Sequence, residues 1–402
     1  MRNLKPITAA QRYIVIVGDG MADHPVPELG GRTPLEAAAT PCMDLMAAEG
    51  CCGQVQTVPA GMPPGSDVAN LSLLGYDPAA AYTGRGPLEA AALGVTLGPE
   101  DYAYRCNLVT LADGMLEDYS VGHIDSAAAG EIIDLLQKEL CSKEISLHKG
   151  TAYRHLLTWR NGKALQTVPP HDIQGCPFAE YLPQGDDADI IIHLMERSRE
   201  ILASSDINRR RAAAGLKLAG SIWPWGGGKA PAIAPFAKKY GLSGAVITAV
   251  DLIRGLGIYA GMRIIEVPGA TGYIDTDYAA KADYALAALD EADFVFLHVE
   301  APDEAAHAGL LREKIRAIES IDSQILAPLI GRAGKDGALR LLLLPDHATP
   351  MDIRTHSSEP VPFAIFPASR AGGNIYTEKA AAAGPLIGSG AELLDFFISR
   401  RA

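Results

Sequence analysis

Unbroken apolar runs alternate with amphipathic stretches at the start of the chain and in its second half. Residues 13–17 form a run rich in β-branched side chains that ends at Gly-Asp-Gly, and residues 34–50 follow it with helical spacing. The same rhythm returns later and predicts strands at 245–250, 263–267, 294–299, 341–344 and 361–366, with long helices over 277–291 and 303–330. Continuous apolar strands are buried on both faces. The pattern therefore predicts an α/β fold with a doubly wound, mostly parallel sheet covered by helices.

The character of the sequence changes between about residues 100 and 225. Short strand candidates at 104–111, 145–147 and 155–159 alternate there with helices predicted over 126–140 and 189–204, separated by polar, proline-rich turns. This predicts a smaller α+β domain, residues 100–225, inserted into a larger discontinuous domain made of residues 1–99 and 226–402. Residues 223–229, Trp-Pro-Trp-Gly-Gly-Gly-Lys, are interpreted as a hinge-like loop.

Composition excludes several classes of function. Of the 402 residues 48% are hydrophobic and 21% charged, which is typical of a globular protein with a sizeable core. The formal net charge of −13 argues against binding to nucleic acid or to an anionic membrane surface. Six cysteines without a Cys-x-x-Cys pair indicate a reduced protein. Because the first residues lack the apolar core of a signal peptide and no run approaches a membrane span, we expect a cytoplasmic protein.

A loop rich in proline and glycine leads into a short helix at Ser66. Residues 61–70 read Gly-Met-Pro-Pro-Gly-Ser-Asp-Val-Ala-Asn, residues 55–58 are predicted as the strand before them, and Val68, Leu71 and Leu74 repeat at helical spacing. Backbone N–H groups at a helix start favour negative charge, so a phosphoryl group would fit beside Ser66. The hydroxyl becomes a nucleophile only if a neighbour lowers its pKa. Without that neighbour, Ser66 is a helix cap in a surface turn.

Acidic and imidazole side chains follow three of the predicted strands and precede a fourth: Asp19, Asp303, His307, Asp346, His347 and His356. Open α/β sheets bind ligands beyond the carboxyl ends of their strands, so chain order alone brings these side chains together. Mixed carboxylate and imidazole ligands suit Mn²⁺ or Zn²⁺, and Mg²⁺ is a further option. With Ser66 the set is large enough for two divalent ions, which could activate the serine and clamp a transferring phosphoryl group. Taken singly, Asp-x-x-x-His on a helix is more often an exposed capping pair than a site, and Asp-His after a strand is often a turn.

Five stretches carry long and specific sequences: residues 17–23, 64–78, 82–89, 267–272 and 345–350. In this combination the chain resembles the alkaline-phosphatase superfamily and, within it, the archaeal-type, cofactor-independent phosphoglycerate mutases. The resemblance implies a phosphatase-like domain with a smaller domain inserted between its halves, and Ser66 as the nucleophile that forms phosphoserine. It implies one metal held by Asp19, Ser66, Asp346 and His347, and a second held by Asp303, His307 and His356.

The resemblance also implies that the insert binds the rest of a small phosphorylated hydroxy acid, as 3-phosphoglycerate and 2-phosphoglycerate interconvert through Ser66. Phosphate and carboxylate groups suit arginine and lysine. The candidates for substrate binding are Arg154, Arg211, Lys217 and Lys229, with His123 as a further polar candidate. His171 and Asp172 are expected to move protons on the substrate hydroxyl. The simpler alternative for each of these residues is a surface or inter-domain salt bridge.

Departures from the mutase pattern leave other functions open. Archaeal mutases tend to carry an arginine where this chain has Trp225, and they differ around residues 298–302. Bacterial relatives with a similar Trp-Pro-Trp-Gly sequence suggest a homoserine kinase-like phosphotransferase that uses the same serine and metals. A catalytically inactive binding protein with a phosphatase fold is a third alternative. The sequence leaves the oligomeric state open.

Overall fold

The computed structural model describes residues 11–368 and 375–399. Its contacts separate two compact units: residues up to Tyr82 together with those from Ile233 onward, and Thr83–Ala232. These boundaries differ from those expected at about residues 100 and 225. The first helix of the second unit, Arg85–Ala92, packs on the long strand Tyr102–Ala112, so it belongs to that unit although it precedes the change in sequence character.

The strands are β1 Arg12–Gly18, β2 Cys51–Val55, β3 Tyr102–Ala112, β4 Met115–Asp118, β5 Ile145–His148, β6 Arg154–Trp159, β7 Ser221–Gly228, β8 Gly244–Ile247, β9 Arg263–Ile265, β10 Phe294–Val299, β11 Leu339–Leu344, β12 Val361–Phe366 and β13 Leu386–Ile387. The helices are α1 Pro34–Ala37, α2 Pro41–Glu49, α3 Ser66–Leu73, α4 Pro78–Ala81, α5 Arg85–Ala92, α6 Ser126–Leu140, α7 Ala188–Ser204, α8 Asp206–Ala213, α9 Phe236–Tyr240, α10 Asp251–Tyr259, α11 Tyr278–Ala288, α12 Ala301–His307, α13 Leu311–Ser320, α14 Ala327–Ala333, α15 Glu378–Ala381 and α16 Gly390–Ile398. A π-helical turn, Ile321–Leu326, joins α13 to α14. Among the described residues, no helix combines the length and the apolar character needed to cross a membrane.

The first unit is built on a sheet whose described strands follow the order β13-β2-β12-β11-β1-β10-β8-β9. Strands β11, β1, β10, β8 and β9 are parallel, whereas β12 runs antiparallel to both of its neighbours. Every residue of β10, β11 and β12 is buried, so helices cover the sheet on both faces. The predicted α/β fold with a mostly parallel sheet is confirmed.

The second unit has its own antiparallel sheet and its own apolar core. Strand β3 pairs with β4, β6 and β7, and β5 extends the sheet beyond β6. Helices α6 and α7 contribute buried side chains to its core, including Ile132, Ile133, Ile191 and Leu194. The strands and helices predicted in this part of the sequence are present within one or two residues of their expected bounds.

Two predicted helices are interrupted in the structure. The helix expected over 34–50 is divided into α1 and α2, because Pro41 disfavours helical geometry at the residue before it. The helix expected over 303–330 is broken after α12, where Gly309 takes a left-handed conformation with φ of +71°. In both cases the apolar spacing indicated the helical segments but did not reveal the break between them.

Two further predictions are wrong about strands. The strand expected at 55–58 is β2, Cys51–Val55, because its register is fixed by antiparallel pairing of Val55 with Val361 and of Cys51 with Ile365. The hinge-like loop expected at 223–229 is largely strand β7, which pairs with β3 and buries both of its tryptophans. Among the described strands β7 pairs only with β3, so Pro224 can lie within it.

Candidate active site

The six predicted ligand side chains lie together at the carboxyl edge of the sheet in the first unit: Asp19, Asp303, His307, Asp346, His347 and His356. Strands β11, β1 and β10 are adjacent and parallel, so the loops that follow them begin at the same edge. The loop with His356 reaches this edge from the other direction, because β12 runs antiparallel to β11. The topology thus brings together side chains that are far apart in the sequence.

Ser66 belongs to a first group of predicted ligands. It is the first residue of α3, and its Oγ is 3.1 Å from Nε2 of His347. The same imidazole nitrogen is 3.5 Å from Oδ1 of Asp19 and 3.5 Å from Oδ2 of Asp346. Burial lowers the pKa of His347 and so favours the neutral ring that can ligate a metal. The hydroxyl and the predicted ligands of the first metal therefore surround one ring nitrogen.

Asp303, His307 and His356 form a second group. Oδ2 of Asp303 is 3.1 Å from Nε2 of His307, and Oδ1 is 3.5 Å from Nε2 of His356. The two Nε2 atoms are 2.9 Å apart, and Nδ1 of His307 is 2.9 Å from the carbonyl oxygen of Arg354. Burial by itself would raise the pKa of Asp303, but the bonds from His307 and His356 hold it well below its ordinary value. Ring nitrogens that face each other beside a buried carboxylate fit a shared cation.

Asn70 orients the first group, although the sequence analysis did not single it out. Its side-chain amide donates to Oδ2 of Asp346 at 2.7 Å and to the backbone carbonyl of Ser66 at 2.8 Å. Asn70 is completely buried and lies one helical turn after Ser66 on α3. The spacing of four residues, which puts both side chains on one helix face, is the signal that could have found it.

Thr349 and Gly20 shape the second group. The hydroxyl of Thr349 donates to Oδ1 of Asp303 at 2.5 Å and lies 3.3 Å from Nδ1 of His347, so it contacts a ligand of each group. Gly20 has φ of +60°, and a Cβ there would lie 2.6 Å from Oδ1 of Asp303. Only glycine allows the loop after β1 to approach the carboxylate this closely.

Asp19, His298 and Glu300 form a further group of ligand-type side chains. Each contributes one ligand atom, and these atoms lie within 4.8 Å of one another. Nε2 of His298 lies 3.0 Å from Oδ2 of Asp19. Among the described residues, however, neither carboxylate oxygen of Asp19 accepts a hydrogen bond of good geometry, and Oε2 of Glu300 accepts none either. Burial, reinforced by the charge of Asp346, raises the pKa of Asp19 well above its ordinary value. Buried carboxylate oxygens without donors are costly unless a positive charge is close, so this donor set fits the divalent cations expected from the sequence.

Three of the predicted substrate-binding side chains have structural partners in the second unit. Arg211 is buried and donates to two backbone carbonyls, Lys217 forms ion pairs with two carboxylates, and Lys229 pairs with one. These are the contacts expected of the simpler alternative, a salt bridge or a structural hydrogen bond. As substrate ligands, Arg211, Lys217 and Lys229 stay predictions.

The other predicted residues of the second unit lie beside aromatic rings. The ring of His123 is 6.4 Å from that of Tyr153, and the guanidinium of Arg154 is 5.7 Å from the same ring. Nε2 of His171 is 3.5 Å from the carboxylate of Asp172, and both side chains are about half exposed. Burial lowers the pKa of His171. A neutral, accessible imidazole of this kind is suited to accept or donate a proton.

Arg105 is a largely buried cation that the sequence analysis missed. Its Nε is 2.9 Å from the carboxylate of Glu89, and its guanidinium lies over the ring of Trp225 at 4.4 Å. Burial lowers the pKa of Arg105, and the positive charges of Arg85 and Arg154 lower it further against the opposing effect of Glu89. A concentration of guanidinium groups of this kind attracts anions. The signal in the sequence was a charged residue within the apolar run of β3.

Sequence comparison finds long matches to one kind of enzyme. Residues 47–208 match the family model described as 2,3-bisphosphoglycerate-independent phosphoglycerate mutase. A protein of that name from Methanothrix thermoacetophila is 54% identical over 355 residues, which cover 88% of this chain and 90% of the relative. A protein from Geobacter sulfurreducens named as a probable enzyme of the same kind is 50% identical over 398 residues, or 97% of this chain and all of the relative.

Solved structures agree with the sequence matches. A protein from Pyrococcus horikoshii superposes with a TM-score of 0.83 at 28% identity, covering 97% of this chain and 98% of that one. A cofactor-independent phosphoglycerate mutase from Thermoplasma acidophilum superposes with a TM-score of 0.68 at 26% identity, covering 98% and 100% of the two chains. The family indicated by the sequence motifs is confirmed, and the chain belongs to the 2,3-bisphosphoglycerate-independent phosphoglycerate mutases.

Proposed function

We propose that this protein interconverts 3-phosphoglycerate and 2-phosphoglycerate by way of a phosphoserine at Ser66, without 2,3-bisphosphoglycerate. The observation that carries the proposal is the position of the Ser66 hydroxyl, 3.1 Å from Nε2 of His347. The same ring nitrogen is 3.5 Å from the buried carboxylates of Asp19 and Asp346. A hydroxyl at a helix start is suited to meet a phosphoryl group. The family supports the same activity, since the relatives are named for it.

We propose further that two divalent cations bind here, one to Asp19, Ser66, Asp346 and His347, and the other to Asp303, His307 and His356. The mixture of carboxylate and imidazole donors favours Mn²⁺ or Zn²⁺, with Mg²⁺ as a further option. Such cations would lower the pKa of the Ser66 hydroxyl and offset the negative charge of the phosphoryl group. The carboxylate oxygens of Asp19 that accept no hydrogen bond within the described chain support this assignment.

The reaction then has two halves. In the first, the bond between phosphorus and the 3-oxygen of the substrate breaks as Ser66 Oγ bonds to phosphorus; the serine loses its proton and the 3-oxygen gains one. In the second, the 2-oxygen of glycerate attacks the phosphoserine, loses its proton and carries the phosphoryl group away, and Ser66 recovers a proton. Asn70 keeps Asp346 and the first turn of α3 in place throughout. His171 with Asp172 is the pair we propose for moving protons on the substrate hydroxyls.

The second unit supplies the groups that we propose for the rest of the substrate. Arg154 and His123 remain candidates from the sequence. Arg105 and Arg85 join them because the positive charges of Arg85, Arg105 and Arg154 are close enough to affect one another and so attract anions together. A phosphorylated hydroxy acid carries two anionic groups, and planar guanidinium groups bind both in forked hydrogen bonds. The cytoplasm is the location that we propose, and the six cysteines, all free thiols, support it.

The test is turnover of 3-phosphoglycerate without added 2,3-bisphosphoglycerate, by the wild type and by Ser66→Ala. We expect turnover by the wild type, a phosphorylated Ser66 in the trapped protein, and neither in the variant. Ser72→Ala is the matched control, because Ser72 lies on the same helix and its hydroxyl accepts a hydrogen bond from the Gly390 N–H at 3.0 Å. Undiminished turnover in Ser66→Ala would refute the covalent route.

A parallel assay with homoserine and ATP tests the alternative acceptor. The sequence feature that suggested it, Trp-Pro-Trp-Gly, has a packing explanation, since the indole N–H groups of Trp223 and Trp225 donate to the Val168 carbonyl and to Asn107 Oδ1. We expect no phosphorylation of homoserine. Phosphohomoserine formation without mutase turnover would replace the proposed function, and absence of both reactions with no bound metal would favour the inactive binding protein.

A further inference from the structure

Lys314 is a completely buried lysine whose ammonium group uses all three of its donors. It lies on α13, and its Nζ donates to Oδ2 of Asp23 at 2.7 Å, to the Thr349 carbonyl at 2.9 Å and to the Ala22 carbonyl at 3.2 Å. An ammonium group has three hydrogens, so this cation is satisfied without water. A buried lysine with this arrangement holds its acceptors in a fixed geometry.

The acceptors belong to loops that carry predicted metal ligands. Ala22 and Asp23 are in the loop that begins with Asp19 after β1, and Thr349 is in the loop that begins with Asp346 after β11. Lys314 itself follows α12, the helix that bears Asp303 and His307. One ammonium group thus joins the three chain segments that leave the adjacent strands β11, β1 and β10.

Asp23 extends the connection. Its side chain is fully buried, and its Oδ1 accepts from the backbone N–H groups of His24 at 2.8 Å and Met351 at 3.0 Å. Its own N–H donates to the carboxylate of Glu378 at 3.1 Å. The Asp23–Lys314 ion pair is therefore the centre of a buried network that fixes both ligand-bearing loops from behind. Neither residue was singled out by the sequence as part of the site.

We propose that Lys314, paired with Asp23, is a positioning residue that holds the three loops so that their carboxylates and imidazoles converge on the metal ions. This rests on the proposed function, since it assumes that those side chains bind divalent cations. Within the described part of the chain, Lys314 makes no hydrogen bond to a predicted ligand side chain; it acts through backbone carbonyls and Asp23. Loss of the ammonium group would let the loops after β1 and β11 shift independently, and metal affinity would fall before the fold is lost.

The experiment is a calorimetric titration of metal-free protein with Mn²⁺, alongside thermal unfolding of the same samples. We expect Lys314→Met to weaken Mn²⁺ binding by about 10- to 100-fold, the range found for groups that orient metal ligands. Turnover of 3-phosphoglycerate should recover in part as Mn²⁺ is raised, with the KM for substrate unchanged at saturating metal. Recovery by added metal is a result that a merely structural lysine would not give.

A second variant distinguishes a positioning role from misfolding. It is needed because removing one member of a buried ion pair leaves an unpaired charge that destabilises the fold. Asp23→Asn with Lys314→Met removes both charges, and we expect it to fold while still binding Mn²⁺ weakly. The control is Arg340→Met, which removes another buried cation, near the amino end of β11, where its guanidinium donates to the Phe397 carbonyl at 2.6 Å. It should lower the melting temperature and keep wild-type Mn²⁺ affinity.

The outcomes separate the two proposals. Wild-type Mn²⁺ affinity in either Lys314 variant overturns the positioning role, as does an equal loss of affinity in Arg340→Met, which would make the effect a general one. A double variant that cannot fold assigns the pair to folding alone and also overturns it. If the wild type binds Mn²⁺ but does not turn over 3-phosphoglycerate, the mutase activity fails while the titrations still decide the role of Lys314.

Discussion

Replacing Asn70 with alanine tests how strongly the first ligand group depends on its hydrogen-bonded support. The substitution removes the donor to Oδ2 of Asp346, at 2.7 Å, and the donor to the carbonyl of Ser66, at 2.8 Å. Alanine is a good helix former, so α3 keeps its backbone geometry. The change therefore removes the support of one carboxylate and of the proposed nucleophile's own peptide, and leaves the proposed ligands themselves present.

The expected magnitude follows from the kind of bond that is lost. A hydrogen bond to a buried carboxylate contributes about 1.5–3 kcal/mol, and each 1.4 kcal/mol or so corresponds to about a tenfold change in an equilibrium or rate constant. If the lost hydrogen bond holds Asp346 in the orientation needed for metal binding, kcat/KM falls by roughly 10- to 100-fold. This is the range measured for groups that orient metal ligands. The second bond, to a neutral carbonyl, adds about 1 kcal/mol that affects mainly the stability of the helix start.

The assay is steady-state turnover of 3-phosphoglycerate at saturating Mn²⁺, with thermal unfolding measured in parallel. Asn208→Ala is the matched control: Asn208 is a buried asparagine of the second unit whose side chain donates to the Leu202 and Ala219 carbonyls at 2.9 and 2.7 Å. We expect the control to lose stability and to keep its kcat/KM. The reasoning is refuted if Asn70→Ala turns over substrate like the wild type, or if both variants lose activity equally.

Three further predictions concern the second unit and the metals. Arg105→Lys should raise the KM for 3-phosphoglycerate about tenfold, since lysine lacks the planar guanidinium group that forms forked hydrogen bonds. Arg211→Lys should leave this KM unchanged. The reverse result would support Arg211, rather than Arg105, as a substrate ligand. Burial lowers the pKa of His155 to about 4, so protonation of this imidazole favours the unfolded state. The free energy of unfolding should therefore fall by about 2 kcal/mol from pH 7 to pH 5. His155→Gln should show a shallower decline of melting temperature over that range, and an identical decline would contradict the assignment. Chelation should abolish turnover and lower the melting temperature, both restored by Mn²⁺, and full activity after exhaustive chelation would exclude the metals.

The large sheet and the ligand set followed from local features of the sequence. An apolar run without polar alternation has to be buried on both faces, and residues at the ends of parallel strands have to share an edge, so Asp19, Asp346 and His347 could be grouped before any coordinates were known. The sequence did not show in the same way which strands pair or which side chains tertiary contacts bury. The position of β2 depends on its partner β12, and residues 223–228 form part of a strand because β3 offers an edge to pair with.

Charged side chains that are largely or fully buried are the second kind of feature that the sequence did not reveal. Arg105 and Lys314 look like ordinary charged residues of a strand and a helix, and only the packing shows that Arg105 stacks on Trp225 and that Lys314 joins separate loops. For Arg211, Lys217 and Lys229, which stay predictions as substrate ligands, the sequence did not reveal the structural partners. Basic residues in an insert are natural candidates for an anionic substrate, but nearby carboxylates and carbonyls that the sequence cannot place already bind them.

The two ends of the second unit lie side by side: the hydroxyl of Thr83 donates to the carbonyl of Lys229 at 2.6 Å, and a Cβ on Gly84 would meet the carbonyl oxygen of Gly227 at 2.4 Å. An inserted segment whose two ends lie close together adds little loop-closure entropy to the unit that carries it. This cost rises only slowly with the number of inserted residues. Evolution could therefore exchange or enlarge this whole segment as if it were a surface turn. By the same logic, a gene fragment encoding only 83–232 should yield a self-sufficient folding module.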